Sequence, residues 1–301
     1  MERYVNPYTD FGFKKLFGTE VNKDLLISFL NALLHDEQVI EDITYMNSEQ
    51  LGVTGADRKA IFDVYCQNDK GERFIVEMQK AEQQFFKDRS VFYSTFPIRE
   101  QGQPGKWNYQ LKAVYTIGIL DFVFDDDYSS DEFYHHEVKL IDTSTGKVFY
   151  DKLTFIYLEM PKYLKKEDEL KTMFDKWMFV LRNLTSLMNR PAALQERIFE
   201  RVFRVAEIAQ FTPVERSEYE ESLKVLRDLT NVIDTAALRG YEKGVEEGME
   251  QGIEKGIEQG IEKGREEEKR VMVRNLKSLS LPIESIMQVT GLSAEEIEDI
   301  E

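Results

Sequence analysis

Two short apolar runs joined by a polar turn, AIFDVYCQNDKGERFIVEMQK at residues 60–80, predict an antiparallel β-hairpin. The turn contains Asn, Asp, Lys and Gly, which favour a tight reversal of the chain. Successive strand residues point to opposite faces, so a register that pairs Val64 with Val76 makes one face wholly apolar. The same register predicts that Phe62 lies on that apolar face, opposite Met78.

The other face of the predicted hairpin collects polar side chains. The register places Asp63 across from Glu77, with Gln79 next on the same face. Cross-strand Cβ atoms lie about 4.5–5.5 Å apart, close enough for two carboxylates to share a divalent cation; without one they would repel. Any half-exposed hairpin also has acids on its solvent side, and the spacing alone leaves that alternative open. The apolar neighbours Ile61 and Tyr65 on this face favour partial burial.

The segments around the hairpin follow the order helix, strand, hairpin, helix, strand. The helices are DFGFKKLFG with NKDLLISFLNALL and later FFKDRSVFYSTFPIREQ; the flanking strands are VIEDITYM and LKAVYTIGIL. In this order the chain resembles the PD-(D/E)XK nuclease superfamily, and more closely its Rpn-type branch of recombination-promoting, transposase-like nucleases. The resemblance covers roughly residues 6–125. It is carried by Asp10, Phe13, Lys14, Phe17, Asp63, Glu77, Gln79, Arg89 and Tyr93.

The resemblance implies an α/β, restriction-endonuclease-like αβββαβ core with a mixed sheet. It also implies a DNA endonuclease that hydrolyses phosphodiester bonds with Mg²⁺ or Mn²⁺. By this resemblance Asp63 and Glu77 are metal ligands, and the backbone carbonyl of Met78 is a third. Asp10 is then an acid contributed by the first helix. The alternative for Asp10 is a helix N-cap, because Thr9 and Asp10 stand where that helix should begin.

One position of the motif departs from the general superfamily pattern. The usual motif ends in lysine, whereas this chain has Gln79, and glutamine is usual in the Rpn-type branch. An ammonium can stabilise negative charge, while a neutral amide can only orient water, so the turnover rate stays open. Lys80 points to the other face by strand alternation but is kept as a candidate phosphate contact. Arg89 and Tyr93, four residues apart on one helix face, are further candidates; their alternative is a surface or packing pair.

The charge of the chain limits how it can meet DNA. A net charge of −17 over 301 residues argues against a protein that simply coats DNA. From about residue 58 to residue 112, however, lysines and arginines slightly outnumber the acids, which permits contact with DNA there. No signal peptide opens the sequence, and no apolar run approaches the ~20 residues that span a bilayer. We therefore expect a cytoplasmic protein that acts on DNA and not at a membrane.

Helical periodicity and then a glycine repeat follow the core. The helical region at residues 161–239 either packs on the core or helps to form a DNA channel. In the repeat, glycine recurs at every fourth position from Gly240 to Gly264. The predicted segments are a nuclease-like core at 1–160, a helical accessory region at 161–239, the repeat at 240–270 and a small helical end module at 271–301.

The glycine repeat predicts either an assembly element or a linker. Each glycine costs a helix about 0.8–1.0 kcal/mol relative to alanine, so a lone helix is disfavoured. A four-residue period advances about 400° on a helix, so the glycine row and the neighbouring aliphatic row drift together and favour right-handed winding of partners. We predict that the repeat is a self-association helix that makes the protein at least a dimer. The alternative is a flexible, charged linker.

Two classes of function follow from the sequence. The first is a metal-dependent DNA endonuclease linked to recombination or to a mobile element. The second is a catalytically weak or silent descendant that binds DNA or assembles through its tail. The presence of both Asp63 and Glu77 favours the first, because a silent copy has no chemical need for two facing acids.

Overall fold

A computed structural model of the chain describes residues 2–34, 39–50, 60–124 and 133–300. Residues 1–227 form one compact unit and residues 228–301 a second. The helices are α1 (Asp10–Phe17), α2 (Lys23–Leu33), α3 (Phe86–Arg99), α4 (Met173–Asn183), α5 (Arg197–Ala206), α6 (Pro213–Ser278), α7 (Ile283–Thr290) and α8 (Ala294–Glu298). The strands are β1 (Ile43–Tyr45), β2 (Glu49–Gln50), β3 (Ala60–Ile61), β4 (Val64–Asn68), β5 (Arg73–Gln79), β6 (Val114–Leu120), β7 (His135–Asp142) and β8 (Lys147–Glu159).

A six-stranded mixed sheet in the order β1-β4-β5-β6-β8-β7 forms the centre of the first unit. Strands β1, β4 and β5 are antiparallel neighbours, β5, β6 and β8 run parallel, and β7 is antiparallel to β8. Every residue of β6 is buried, as expected for an apolar strand with helices over both faces. This α/β arrangement is compatible with the nuclease-like fold that the sequence predicts.

One face of the sheet is covered by helices from both ends of the first unit. The Trp177 ring of α4 is fully buried, 5.6 Å from the Phe17 ring and 5.3 Å from the Phe199 ring of α5. Its indole N–H donates to Ser28 Oγ of α2 at 3.1 Å. Helices α4 and α5, which follow β8, therefore pack on the core.

Helix α3 covers the other face of the sheet. Its Phe96 packs in a cluster with Phe62 and Ile75, and its Phe86 packs against Tyr157 of β8. A Cβ on Gly118 of β6 would lie 3.2 Å from the Tyr157 ring and 3.6 Å from the Phe86 ring. The glycine therefore lets α3 lie close to the strand beside β5.

Helix α6 contains the whole glycine repeat. Near its C-terminal end, Val273 packs with Ile286 and Ile297 in a small buried apolar cluster that joins α6, α7 and α8. Ser293 opens α8 with a capping box to Glu296. Among the helices of the described residues, none combines the length and the apolarity that crossing a membrane requires.

Helix α1 begins behind a tight turn that leaves no room for a side chain at residue 12. Gly12 N–H donates to Thr9 Oγ1 at 2.9 Å, and Thr9 Oγ1 donates to Asn6 O at 2.7 Å. A Cβ at residue 12 would lie 2.0 Å from Asn6 O. We expect Gly12→Ala to push the turn away from α1 and to lower the free energy of unfolding by about 3 kcal/mol, measured by urea denaturation. A urea midpoint equal to that of the wild type would show that the turn can move without loss of stability.

Candidate active site

Strands β4 and β5 pair in the register that the sequence predicts, with Val64 opposite Val76. The chain then bends just before β4, and Phe62 N–H donates to Ser48 O at 2.9 Å instead of continuing the ladder with β5. The Phe62 ring lies 5.4 Å from the Tyr65 ring, on the α3 face of the sheet. The prediction that Phe62 shares a face with Val64 is therefore wrong, because the bend interrupts the strand alternation.

The bend brings the carboxylate of Asp63 within hydrogen-bond distance of the β5 backbone. Met78 N–H donates to Asp63 Oδ2 at 2.8 Å, where a carbonyl of a longer β4 would otherwise accept. Asp63 N–H in turn donates to Glu77 Oε1 at 3.3 Å. The N–H and C=O of a strand residue point to the same edge, so the Met78 carbonyl also faces the Asp63 side. Asp63, Glu77 and Met78 are thus brought together at the end of the β4–β5 ladder.

Burial and mutual repulsion set the charge of the carboxylate pair. Burial, followed by the charge of Asp63, raises the pKa of Glu77 to about 8. Burial also raises the pKa of Asp63, and the charge of Asp10 adds to the effect, while the Met78 N–H opposes it. Since two like charges in one desolvated place are unfavourable, the pair would gain from a bound cation.

Helix α1 places a second charged pair near the carboxylates. Lys14 Nζ lies 2.7 Å from Asp10 Oδ1, one helical turn away. The N-cap of α1 is Thr9, so the N-cap alternative for Asp10 is wrong and its exposed carboxylate remains available for another role. The charge of Lys14 opposes the rise in the pKa values of Asp63 and Glu77. No role was predicted for Lys14, although its four-residue spacing from Asp10 is a usable signal.

Helix α3 brings Arg89 to Gln79. One terminal nitrogen of Arg89 donates to Gln79 Oε1 and the other donates to Gln83 Oε1. The Gln79 Nε2 donates to Ala81 O at 2.8 Å. The guanidinium carbon lies 5.6 Å from the centroid of the Tyr93 ring, so Arg89 and Tyr93 share a helix face as their spacing indicates. Gln83 was missed by the sequence reasoning, and nothing in its local pattern marks it.

Lys80 contacts a different set of residues. Its ammonium forms an ion pair with Asp121, directly after β6, and lies 5.4 Å from the centroid of the Tyr8 ring. Among the contacts of the described residues, none joins Lys80 to the carboxylate pair. A phosphate contact by Lys80 stays a prediction that would require its ion pair to open.

The donor set fits a hard divalent cation that keeps several waters. In the part of the chain that the structure describes, no three His, Cys, Asp or Glu side chains are grouped as a metal cage. Asp63 and Glu77 offer two carboxylates, and Mg²⁺ is usually held by one or two carboxylates with water completing its shell. Two facing, desolvated carboxylates with raised pKa values suit such an ion.

The chain belongs to the PD-(D/E)XK nuclease family transposases, because residues 7–236 match the model of that family. The match spans α1, the β4–β5 hairpin, α3 and the whole mixed sheet, and it confirms the resemblance seen in the sequence. Membership points to a nuclease-like or transposase-related function with DNA as substrate. Nucleases of this superfamily generally use divalent metal ions. No curated protein and no solved structure matches the chain.

The raised pKa of Glu77 predicts a pH dependence for the metal-free protein. Folded Glu77 keeps its proton up to about pH 8, whereas its ordinary pKa is 4.5. The folded state therefore binds more protons between these values, and stability that is present below pH 4.5 is lost as the pH rises through about 8. We expect the thermal midpoint in a chelator to fall between about pH 5.5 and 8.5, and Glu77→Gln to reduce that fall. An equal fall in the variant would contradict this origin.

Proposed function

We propose that this protein is a metal-dependent DNA endonuclease that hydrolyses phosphodiester bonds and acts in recombination or in the movement of a mobile element. The observation that carries the proposal is the desolvated pair Asp63 and Glu77, joined through the Asp63 N–H at the end of a strand ladder. A divalent cation bound there would neutralise phosphate charge and lower the pKa of a water molecule. We also propose that the protein acts in the cytoplasm of a prokaryotic cell.

The proposed roles follow from where each side chain lies. Asp63 and Glu77, with the Met78 carbonyl, would hold Mg²⁺ or Mn²⁺. Asp10 would be a further acid, since it is exposed on α1 and its charge acts on Asp63. Gln79 follows Glu77 on the same face of β5 and completes the motif. The proposed phosphate contacts are Arg89, Tyr93 and Lys80.

The test is a plasmid-nicking assay of the full-length protein with Mg²⁺, with Mn²⁺ and with a chelator. We expect nicked products with either ion, no products in the chelator and none from Asp63→Asn. An asparagine oxygen can still accept from the Met78 N–H, so the bend should survive the change. The matched control is Asp69→Asn, the same substitution at the exposed tip of the hairpin, which should cleave normally. Equal activity of the two variants would remove the assignment of the site.

The second candidate function is a catalytically weak or silent protein that binds DNA or assembles. It is favoured by Gln79, which contributes no charge, and by the occurrence of inactive members among such families. A gel-shift assay in the chelator separates the candidates: a silent protein would retain DNA without cutting it in any metal. Cleavage that starts on addition of Mn²⁺ would exclude a silent protein.

We also propose that the glycine repeat assembles the chain into at least a dimer. Within α6, a Cβ at any of the seven repeat glycines would meet no atom within 4 Å. The neighbouring aliphatic row is between 40 % and 65 % exposed. Such a surface suits a second helix at close range, and two metal sites in a dimer could cut both strands of DNA. The row consists of Val245, Met249, Ile253, Ile257 and Ile261.

A further inference from the structure

The amide of Gln79 is held at both of its ends. Its Nε2 donates to Ala81 O at 2.8 Å, and its Oε1 accepts from Arg89. A backbone carbonyl can only accept and a guanidinium can only donate, so this orientation of the amide is fixed by its partners. The amide therefore serves neighbouring groups of the protein rather than a water molecule.

Arg89 carries a positive charge, and its hydrogen bonds to the described residues do not neutralise that charge. Among the residues that the structure describes, its two hydrogen bonds go to neutral amides, those of Gln79 and Gln83, in a chain with a net charge of −17. The guanidinium carbon also lies 5.5 Å from the Phe86 ring and 5.6 Å from the Tyr93 ring. Two amides and two rings thus hold one side chain on a regular helix, which fixes its direction.

The position of α3 brings this charge to the carboxylate pair. Glu77 and Gln79 lie on the α3 face of β5, and Gly118 is the neighbour of Glu77 on β6. The missing Cβ of Gly118 lets Phe86 and the first turn of α3 lie close to the strand. Arg89 donates to Gln79, which follows Glu77 on the same face of β5, so the guanidinium lies beside the carboxylate pair.

We propose that Arg89 is the catalytic cation of this site and that Gln79 is its positioning residue. The guanidinium binds a non-bridging oxygen of the scissile phosphate and stabilises the charge that grows there as water attacks phosphorus. It thereby performs, from α3, the task that a lysine at residue 79 would perform from β5. This assignment rests on the proposed endonuclease function.

The effect of Gln79→Lys distinguishes this assignment from the alternative that the motif has lost its lysine without replacement. Gln79→Lys restores the usual superfamily residue but places a second cation beside Arg89. The two positive charges repel, and the guanidinium is displaced from its position beside residue 79. Activity should then fall rather than rise. In the double variant Gln79→Lys/Arg89→Gln the two charges have exchanged places, and activity should return.

The first experiment measures single-turnover cleavage of plasmid DNA with Mn²⁺. We expect Arg89→Gln to lower the rate by about 10²–10³-fold, Gln79→Lys by at least about tenfold, and the double variant to recover to within about tenfold of wild type. The matched control is Arg99→Gln on the same helix, ten residues or roughly 15 Å further along its axis, which should cleave normally. Wild-type or higher activity of Gln79→Lys, or a double variant no better than either single variant, overturns the proposal.

The second experiment needs no cleavage and measures Mn²⁺ binding to the DNA-free protein by calorimetry. Removing a cation beside the site should tighten Mn²⁺ binding in Arg89→Gln by about three- to tenfold, while Arg99→Gln matches wild type. Unchanged or weaker binding overturns the placement of Arg89. If the wild type cuts no DNA, the endonuclease proposal fails and this measurement decides the placement alone.

Circular dichroism melts identify variants that do not fold. If Arg89→Gln is unfolded, Arg89→Lys replaces it: the charge remains, but an ammonium lacks the planar fork that reaches both Gln79 and Gln83. We then expect wild-type Mn²⁺ affinity with at least a tenfold loss of rate. A wild-type rate in Arg89→Lys overturns the positioning role of Gln79.

Discussion

Glu77→Gln is expected to abolish metal-dependent DNA cleavage, by at least about 100-fold, and to make the metal-free protein more stable at pH 8. Activity falls because a neutral amide replaces one of two carboxylate ligands. Stability rises because the change removes a desolvated acid and its repulsion with Asp63. The glutamine oxygen can still accept from the Asp63 N–H, so the bend before β4 is kept.

Plasmid nicking measures the loss of cleavage, and thermal melts in a chelator measure the gain in stability. The control is Glu220→Gln, the same change at an exposed position of α6, which should alter neither quantity. Retained cleavage would remove Glu77 from the site. A lower melting midpoint would show that Glu77 is held for structure, through its bond to Asp63, rather than for a cation.

The centre of the site could be predicted from the sequence because it depends on local geometry. A period of two residues in each strand, with one turn between them, fixes which side chains meet, and the pairing of Val64 with Val76 confirms the register. The same reasoning failed two residues beyond the ladder, at Phe62. Its N–H bonds to Ser48, a partner outside the hairpin that no hairpin pattern can reveal.

The remaining parts of the site depend on contacts that are distant in the sequence. The link between Arg89 and Gln79 requires α3 to lie across β5, and that placement depends on Phe86 meeting Tyr157 beside Gly118. Composition and periodicity give α3 a face but not the strand that it covers. The role of Gln79 therefore differs from the water-orienting one that its chemistry alone suggests.

Replacing glycines of the repeat by alanine should change helix content and self-association in opposite directions. Seven glycines cost a lone helix about 6–7 kcal/mol relative to alanine, yet α6 runs through all of them. A row with a four-residue period moves about 40° around the helix at each repeat, so a straight partner can contact only two or three successive repeats. We therefore expect the central glycines, Gly248, Gly252 and Gly256, to form the closest contact.

Replacing these three glycines by alanine should raise the helical signal in circular dichroism and weaken dimerisation by at least about tenfold in analytical ultracentrifugation. The gain comes from intrinsic helix propensity, and the loss comes from methyl groups that hold the backbones apart. The matched control is Gln251→Ala/Gln259→Ala, which changes another row of the same helix and should leave the dissociation constant unchanged. If wild type is a monomer at micromolar concentration, or if alanine strengthens association, the exposed glycine row is not a contact between helices and the repeat acts as a spacer.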